Sequence, residues 1–349
     1  MGKMEFDPYS RAFFDDPYEI YRWLRDQAPV YHNEHYGFWA LSRFADVNAA
    51  HRDIQRFING RGLILEQMLD PDFVNPGWLN TTDPPRHPWL RKLVNRTFTP
   101  RAITAFEPLV RSVSSSLLDP LMDRSEFDIQ QEFALLFTNQ VITAIVGVPE
   151  EDRGKIKAWS DASVVREVGE FRSSESGRRA GIERHEYFLT LIRERRARPT
   201  DDLVSQIVSL ADEDTATFPL TDDQIAAFVN QIVQAGVETT AMAIGNGVVL
   251  FARNPDEWNK VLDDETMIPN AVEEILRYWA PVQYIGRFCT GAVSFDGGTI
   301  PGEVPVLLIL GSANRDPREH EDADVFDIER KIPVALSLGV GIHACLGAA

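Results

Sequence analysis

The side chain best suited to chemistry lies in a glycine-rich stretch near the end of the chain. Cys345 follows Gly339 and Gly341 and precedes Gly347. Because glycine adopts left-handed and tightly folded backbone that other residues resist, this pattern predicts a rigid loop that presents one thiolate. A single cysteine cannot complete a zinc site with four protein ligands, but it can be the one protein ligand of a haem iron, since the porphyrin supplies four others. The stretch therefore favours a haem-thiolate centre at Cys345.

A second polar group interrupts an otherwise apolar helical pattern. Ala235, Gly236, Glu238 and Thr239 bring a glycine, an acid and a hydroxyl into it. A glycine inside a helix costs about 1 kcal/mol relative to alanine, and a buried carboxylate costs more unless it has a partner. Two interpretations are open: a packing notch beside an exposed glutamate, or a surface where a flat ligand lies against the backbone. In the second, Thr239, one turn after Ala235, points toward that ligand.

Charged side chains at helical spacing form two further pairs. Glu274 and Arg277 lie on one helical face, either as an ordinary surface pair or as a buried pair that needs a third partner. His87 and Arg91 also share a face, where two donors suit a carboxylate or a phosphate group. Arg287 is a further candidate cation. Each pair alone is weak evidence for a site.

The longest predicted helix must position the acid and the hydroxyl. Thr221 and Gln224 form a capping box at its start, and apolar residues with helical spacing follow. The pattern continues to Arg253, before Asn254–Pro255 ends it. At 1.5 Å per residue this helix is about 48 Å long, so we expect it to be the spine of the fold.

Shorter elements are predicted along the rest of the chain, and they indicate a mainly α fold with a small β region. Helices are expected after Asp16–Pro17, over Phe44–Arg52, through most of 100–199 and over Met267–Trp279. Strands are expected at Val30–Tyr31, Phe38–Leu41, Phe288–Phe295 and Thr299–Leu310, the last two joined by a hairpin at Asp296–Gly298. Between them, Gly60–Asn80 is expected to be a long irregular connection that covers a site.

Composition and charge exclude several classes of protein. The 349 residues include 35 Lys and Arg against 53 Asp and Glu, and the resulting net charge of −18 argues against nucleic acid or anionic membrane as a partner. The two cysteines, Cys289 and Cys345, argue against a disulfide scaffold and fit a reducing cytoplasm. The N-terminus has no signal-like apolar region, and no run of about 18 apolar residues is uninterrupted. We expect a soluble, cytoplasmic protein.

In combination, the motifs resemble those of the cytochrome P450 family, and the resemblance covers nearly the whole chain. The cysteine loop, Gly339–Gly347, is fairly specific for the family by itself, and the other motifs occur in the family's order. The segments that carry the resemblance are Gly339–Gly347, Ala235–Thr239, Glu274–Arg277, Asp83–Arg91, and Asn314–Pro317 leading to Phe326–Arg330.

The resemblance implies a triangular, mainly helical fold that holds haem b between the long helix and the cysteine loop. Cys345 is then the proximal thiolate ligand of the iron, and Glu238 and Thr239 organise protons for dioxygen on the distal side. The implied cofactor-binding residues are His87, Arg91, Ala235, Gly236, Arg287, Gly339, Gly347 and His343, the last either pairing a propionate or packing nearby. Glu274, Arg277 and Arg330 are the implied buried structural triad. The implied pocket walls are the Gly60–Asn80 cover, the region from Val164 to Ser174, Ile232, Ala235 and Val282–Ile285.

The implied activity is that of a monooxygenase that inserts one oxygen atom of O2 into a hydrophobic small molecule. Since no flavin or iron–sulfur segment is visible, the electrons are expected from a ferredoxin and its NAD(P)H-dependent reductase. Leu338 stands where the family usually has phenylalanine, and Glu238 replaces the commoner aspartate. The chain ends at Ala349, so we expect one monooxygenase domain over residues 1–349 that lacks the family's C-terminal helix and β-rich segment. The alternatives are a non-catalytic haem- or ligand-binding protein of this fold, or a redox-sensing thiol at Cys345.

Overall fold

Helices form most of the fold, as predicted. The computed structural model describes residues 4–74, 77–164, 174–212, 218–332 and 334–348. The α-helices within these ranges are α1 Arg11–Asp15, α2 Tyr18–Gln27, α3 Phe44–Arg52, α4 Leu65–Leu69, α5 Arg86–Asn95, α6 Pro100–Thr104, α7 Glu107–Leu118, α8 Leu135–Val146, α9 Arg153–Val164, α10 Glu175–Ala197, α11 Leu203–Ala211, α12 Asp222–Arg253, α13 Pro255–Asp263, α14 Ile268–Tyr278 and α15 Leu310–Ala313. A π-helix, Ile129–Ala134, leads directly into α8.

The strands form one mixed sheet and one hairpin. They are β1 Val30–Asn33, β2 Phe38–Leu41, β3 Phe57–Ile58, β4 Ile285–Cys289, β5 Val293–Phe295, β6 Gly298–Ile300 and β7 Val304–Leu308. The five-stranded sheet has the order β1-β2-β7-β4-β3, in which β2 and β7 are parallel and the other neighbours antiparallel. β5 and β6 pair as the predicted hairpin, with Phe295 opposite Gly298.

The two long strands predicted around this hairpin are wrong, because each run is divided. The first run splits into β4 and β5, the second splits into β6 and β7, and Leu310 begins α15. The breaks fall where two loops approach each other closely: a Cβ placed on Gly302 would lie 2.9 Å from the Cα of Gly291. Glu303 then takes a left-handed conformation with φ of 61°, and its amide donates to the carbonyl oxygen of Cys289 at 2.7 Å.

The chain divides into two compact units. The first unit comprises Met1–Val74 and Asn246–Cys345, and the second comprises Asn75–Gly245 and Leu346–Ala349. The first unit contains the described strands and a core in which α3 packs with residues that precede the cysteine, including Leu336 and Val340. The second unit is built from helices around the N-terminal part of α12, whose buried face includes Phe228 and Val233.

The capping box predicted at the start of α12 is confirmed. The amide of Gln224 donates to Thr221 Oγ1 at 3.3 Å, and the amide of Thr221 donates to Gln224 Oε1 at 3.2 Å. Both bonds satisfy backbone donors that a helix start leaves without intrahelical partners. By length and composition, α12 is also the one helix in the described ranges that could cross a membrane. The core helix of a globular protein meets the same criterion, so this is weak evidence.

The prediction of a wholly irregular cover over Gly60–Asn80 is wrong for the part that the structure describes. α4 and a 3-10 turn at Leu79–Thr81 interrupt it, and residues 75 and 76 lie outside the described ranges. Leu65 and Met68 are buried in the core of the first unit. Their apolar side chains therefore pack in the core. An apolar composition is expected both for core packing and for the lining of a site, so it does not distinguish the two.

Candidate cofactor site

The cysteine loop has the conformation that its glycines predict. Gly339 and Gly341 have φ of 65° and 76°, in the left-handed region that a Cβ disfavours, whereas Gly347 has φ of −84°. The amide of Cys345 donates to the carbonyl oxygen of Leu338 at 2.8 Å, which closes the loop behind the thiol. Gly347 has no conformational need for glycine, so the loop is shaped by the two glycines that precede the cysteine.

The donor set fits an axial haem ligand better than a site for a bare metal ion. The Cys345 thiol is exposed, while Cys289 is buried in the core. Among the residues that the structure describes, no group of three or more His, Cys, Asp or Glu side chains could hold a metal ion. A single accessible thiol on a fixed loop matches a cofactor that brings four of its own ligands to the iron.

Arg287 lies on β4 with only 2% of its surface exposed, so its positive charge is buried in the first unit. Its Nη1 donates to the carbonyl oxygen of Gly286 at 2.8 Å, and its Nη2 lies 3.1 Å from Nδ1 of His51. His51 lies in the last turn of α3, and no sequence motif marks it. His343 is half-buried in a 3-10 turn of the cysteine loop.

The structure brings Glu274, Arg277 and Arg330 together inside the first unit. Glu274 and Arg277 are both fully buried on α14, and two hydrogen bonds of 2.6 and 2.7 Å join the guanidinium to the carboxylate. Arg330 Nε lies 3.4 Å from Glu274 Oε1. Arg277 Nη1 also donates to the carbonyl oxygens of Asn314 and Ala323, each at 2.9 Å. The pair thus holds three separate segments of the chain, and the surface-pair alternative is excluded.

On α12, Thr239 donates its hydroxyl proton to the carbonyl oxygen of Ala235 at 2.7 Å. Gly236 is needed for close packing, because a Cβ there would lie 2.9 Å from Cγ1 of Ile142 on α8. Gly236 therefore provides a packing notch on the side of α12 that faces α8. Glu238 is half-buried, so it is not the exposed glutamate of the packing-notch interpretation.

A buried arginine in the second unit lies near Glu238. Arg184 on α10 is 2% exposed, and it donates to Ser160 Oγ at 2.9 Å and to Gln234 Oε1 at 3.3 Å. Burial lowers the pKa of Arg184, and the nearby Glu238 carboxylate opposes that shift. Nothing in the sequence distinguishes Arg184 from the many other charged residues of α10.

The remaining predicted residues have clear positions within their units. His87 and Arg91 share one face of α5, and His87 is 1% exposed. Ile232 is buried in the core of the second unit, and Val282 and Ile285 are half-buried against the core of the first. The predicted wall from Val164 to Ser174 falls mostly on residues 165–173, outside the described ranges. The pocket assignments of these residues stay predictions.

Buried neutral histidines predict a loss of stability in mild acid. Burial, reinforced by nearby arginines, lowers the pKa of His51 to about 3 and those of His87 and His320 to about 4. In the unfolded chain each titrates near 6.5, so the folded state gains stability above that pH and loses it as the pH falls toward 4. Burial raises the pKa of Asp46 to about 6, which acts in the opposite direction as one group against three.

We therefore expect the free energy of unfolding to fall when the pH is lowered from 7.5 to 5.0. The decrease is roughly 1–2 kcal/mol for each histidine, and the opposing effect of Asp46 offsets part of the total. Urea unfolding at the two pH values measures the difference. The decrease is expected to be smaller in a His320→Asn variant. A free energy that is equal at both pH values, or higher at pH 5.0, contradicts the prediction.

Comparison with known proteins gives consistent matches. The family model described as Cytochrome P450 matches residues 69–348. The chain is 36% identical over 358 residues to cytochrome P450 130 of Mycobacterium tuberculosis, covering 99% of this chain and 87% of that protein. It is 34% identical over 351 residues to vitamin D(3) 25-hydroxylase of Pseudonocardia autotrophica, covering 99% and 85%. The solved structure of cytochrome P450 CYP109Q5 from Chondromyces apiculatus matches with a TM-score of 0.87 and 32% identity, covering 98% of this chain and 86% of that one.

Proposed function

The chain belongs to the cytochrome P450 family, and on that premise we propose that it hydroxylates a hydrophobic small molecule with haem b as its cofactor. Membership makes it a monooxygenase, an oxidoreductase with a haem-thiolate cofactor that uses O2, a small-molecule substrate and electrons from a redox partner. The observation that carries the proposal is the exposed Cys345 thiol on a loop fixed by Gly339 and Gly341. The proposed electron donor is a ferredoxin with its NAD(P)H-dependent reductase, and the proposed location is the cytoplasm.

The residues proposed to hold the haem are those that match the motifs of the family. Cys345 would supply the thiolate ligand, and His87, Arg91 and Arg287 would pair the propionates, with His343 beside them. The backbone at Ala235, Gly236, Gly339 and Gly347 would pack against the macrocycle. When bound, the haem supplies the chemistry of dioxygen activation and oxygen-atom transfer. The protein contributes the ligand, the counter-charges and the exclusion of water, as one monooxygenase domain over residues 1–349.

Glu238 and Thr239 are proposed to handle the protons that the reaction consumes. The Thr239 hydroxyl donates to the Ala235 carbonyl at 2.7 Å, which orients its oxygen lone pairs to accept a hydrogen bond from an incoming proton donor. Glu238 can exchange protons through its carboxyl group. The buried Arg184 guanidinium lies near that carboxyl group.

The substrate is proposed to be apolar. Ile232, Val282 and Ile285 are the proposed pocket residues, and all three present only hydrocarbon. Similarity to a protein named vitamin D(3) 25-hydroxylase supports hydroxylation as the reaction class, without identifying the molecule that this chain oxidises.

Spectroscopy and turnover together test the proposal. The reduced, carbon-monoxide-bound protein is expected to show the red-shifted Soret band of a thiolate ligand, and extraction of the cofactor is expected to give haem b. A panel of apolar compounds is then titrated for a low-to-high spin shift, and compounds that bind are incubated with ferredoxin, reductase and NAD(P)H. A protein without the thiolate band overturns the proposal. A protein with the band that binds compounds but oxidises none favours the non-catalytic alternative.

Replacing Thr239 by alanine is expected to keep haem binding and to uncouple oxygen consumption from product. The hydroxyl is lost from the proposed proton path, and a positioned proton donor or acceptor typically contributes about 10²–10⁴-fold. Allowing for replacement by water, we expect product formed per O2 consumed to fall by about 10-fold or more. An oxygen electrode and product analysis measure this ratio.

Thr240→Ala is the matched control, since Thr240 is the adjacent exposed hydroxyl on the same helix. It is expected to leave the ratio of product to O2 unchanged. Equal coupling in the Thr239→Ala variant and the parent protein removes Thr239 from the proton path.

A further inference from the structure

One buried histidine of the first unit contacts both Arg287 and the cysteine loop. His51 is 3% exposed at the end of α3. Its Nδ1 lies 3.1 Å from Nη2 of Arg287. A Cβ placed on Gly339 would lie 3.9 Å from Cε1 of His51, and one placed on Gly341 would lie 3.5 Å from its carbonyl oxygen. One residue thus lies against the two segments that carry the proposed thiolate and a proposed counter-charge.

The chemistry of the contact fixes the tautomer of His51. A guanidinium group has five N–H donors and no acceptor, so Nδ1 of His51 must be the acceptor. The neutral ring then carries its proton on Nε2. Burial, the adjacent Arg287 charge and the Arg52 charge lower the pKa of His51 to about 3, so the ring is neutral at neutral pH. The Arg287–His51 bond is charge-assisted and directional, which suits the orientation of a planar guanidinium.

Apolar packing next to His51 also connects α3 with the segment that precedes the cysteine. Val47 and Ala50 of α3 share a core cluster with Leu336 and Val340, which precede the cysteine. This apolar packing does not involve the side chain of His51. The polar edge of His51 therefore adds something different, a fixed acceptor for Arg287.

We propose that His51 is a positioning residue for the haem site: its Nδ1 fixes the Arg287 guanidinium, and its ring and carbonyl support the Gly339–Gly341 turn of the cysteine loop. The proposal rests on the proposed function, because it takes Arg287 and Cys345 as cofactor-holding residues. His51 itself is assigned no contact with the haem. Its effect on cofactor retention passes through Arg287 and through the shape of the loop.

The test compares variants at position 51 by the rate at which the haem-loaded protein loses haem to apomyoglobin. His51→Leu keeps apolar packing and removes the acceptor, and we expect it to accelerate haem loss by about 10-fold or more. His51→Asn is expected to stay within about threefold of the parent, because its Oδ1 can replace Nδ1 as the acceptor. His35→Leu changes an exposed histidine in the first unit and is expected to leave the rate unchanged. The inference is overturned if His51→Leu loses haem at the parental rate, or if His51→Asn is as fast as His51→Leu.

Two further variants separate positioning from a general loss of structure. In an Arg287→Met background, His51→Leu is expected to add less to the rate than it does alone, because the guanidinium that it orients is absent. An unreduced effect in that background overturns the link to Arg287. If His51→Leu does not fold, His51→Asn is compared with His51→Gln, whose acceptor is displaced toward the position of Nε2. Slower haem loss in the asparagine variant supports the inference, and equal or faster loss overturns it.

The parent protein distinguishes this inference from the proposed function. A parent without the thiolate band of the reduced carbon-monoxide complex contradicts the proposed function, whatever the variants do. A parent with that band, together with His51 variants that retain haem equally, contradicts only the role of His51.

Discussion

Cys345→Ser is expected to eliminate the thiolate-type spectrum and monooxygenase turnover together. The serine hydroxyl is a much weaker ligand than a thiolate and supplies less electron density to the iron. Loss of groups that only support a metal ligand typically costs 10–100-fold in affinity or activity, so loss of the ligand itself is expected to lower turnover by more than about 100-fold. The reduced carbon-monoxide spectrum and product formation per minute measure the two effects.

Cys289→Ser provides a matched control within the same chain. Cys289 is buried, and its Sγ lies 3.1 Å from the carbonyl oxygen of Gly291, a contact that a serine hydroxyl can keep. We expect this variant to retain the thiolate band and turnover. A Cys345→Ser protein that keeps both would show that another group binds the iron, and the assignment of Cys345 would be wrong.

Arg277→Met is expected to destabilise the protein by about 3–5 kcal/mol, because it leaves the buried Glu274 carboxylate without its main partner. The Glu274 carboxylate loses two hydrogen bonds from Arg277. It keeps only the amide of Asp327 at 3.0 Å and Arg330 Nε at 3.4 Å as donors. The carbonyl oxygens of Asn314 and Ala323 lose a donor as well. The free energy of unfolding in urea measures the change.

Two variants test whether the cost comes from the stranded charge. Arg11→Ala removes a surface ion pair in which Arg11 and Asp15 are 91% and 66% exposed, and it is expected to cost less than about 1 kcal/mol. The double variant Arg277→Met with Glu274→Leu removes both charges and is expected to be more stable than Arg277→Met alone. A cost for Arg277→Met as small as that for Arg11→Ala would contradict the predicted role of the buried pair.

Local sequence rules predicted the parts of the fold that depend on neighbouring residues. The capping box at Thr221 and Gln224 is such a case, because its bonds join residues three apart. The left-handed glycines of the cysteine loop are a second case, because the local backbone conformation alone requires glycine at these positions. Both features are decided within a few residues, so they can be read before the fold is known.

Contacts between distant segments could not be predicted from local sequence rules. His51 and Arg287 are 236 residues apart in the sequence, and only the fold brings their side chains to 3.1 Å. Arg184 approaches Gln234 and Glu238 from another helix in the same way. The divided strands have the same cause, because the approach of Gly302 to Gly291 depends on how two loops meet. The type of a residue does not indicate which distant residue it will contact, so these contacts could not be predicted from the sequence.

The close contact of Gly236 with Ile142 has a consequence for protein engineering. Any side chain at position 236 would enter the space that Ile142 fills, where a Cβ comes within 2.9 Å of its Cγ1. Positions 142 and 236 therefore form one design variable rather than two. A library that enlarges residue 236 alone would sample mostly overpacked proteins, whereas one that shortens residue 142 at the same time keeps the volume nearly constant. On the side of α12 that faces α8, position 236 can be redesigned only together with position 142.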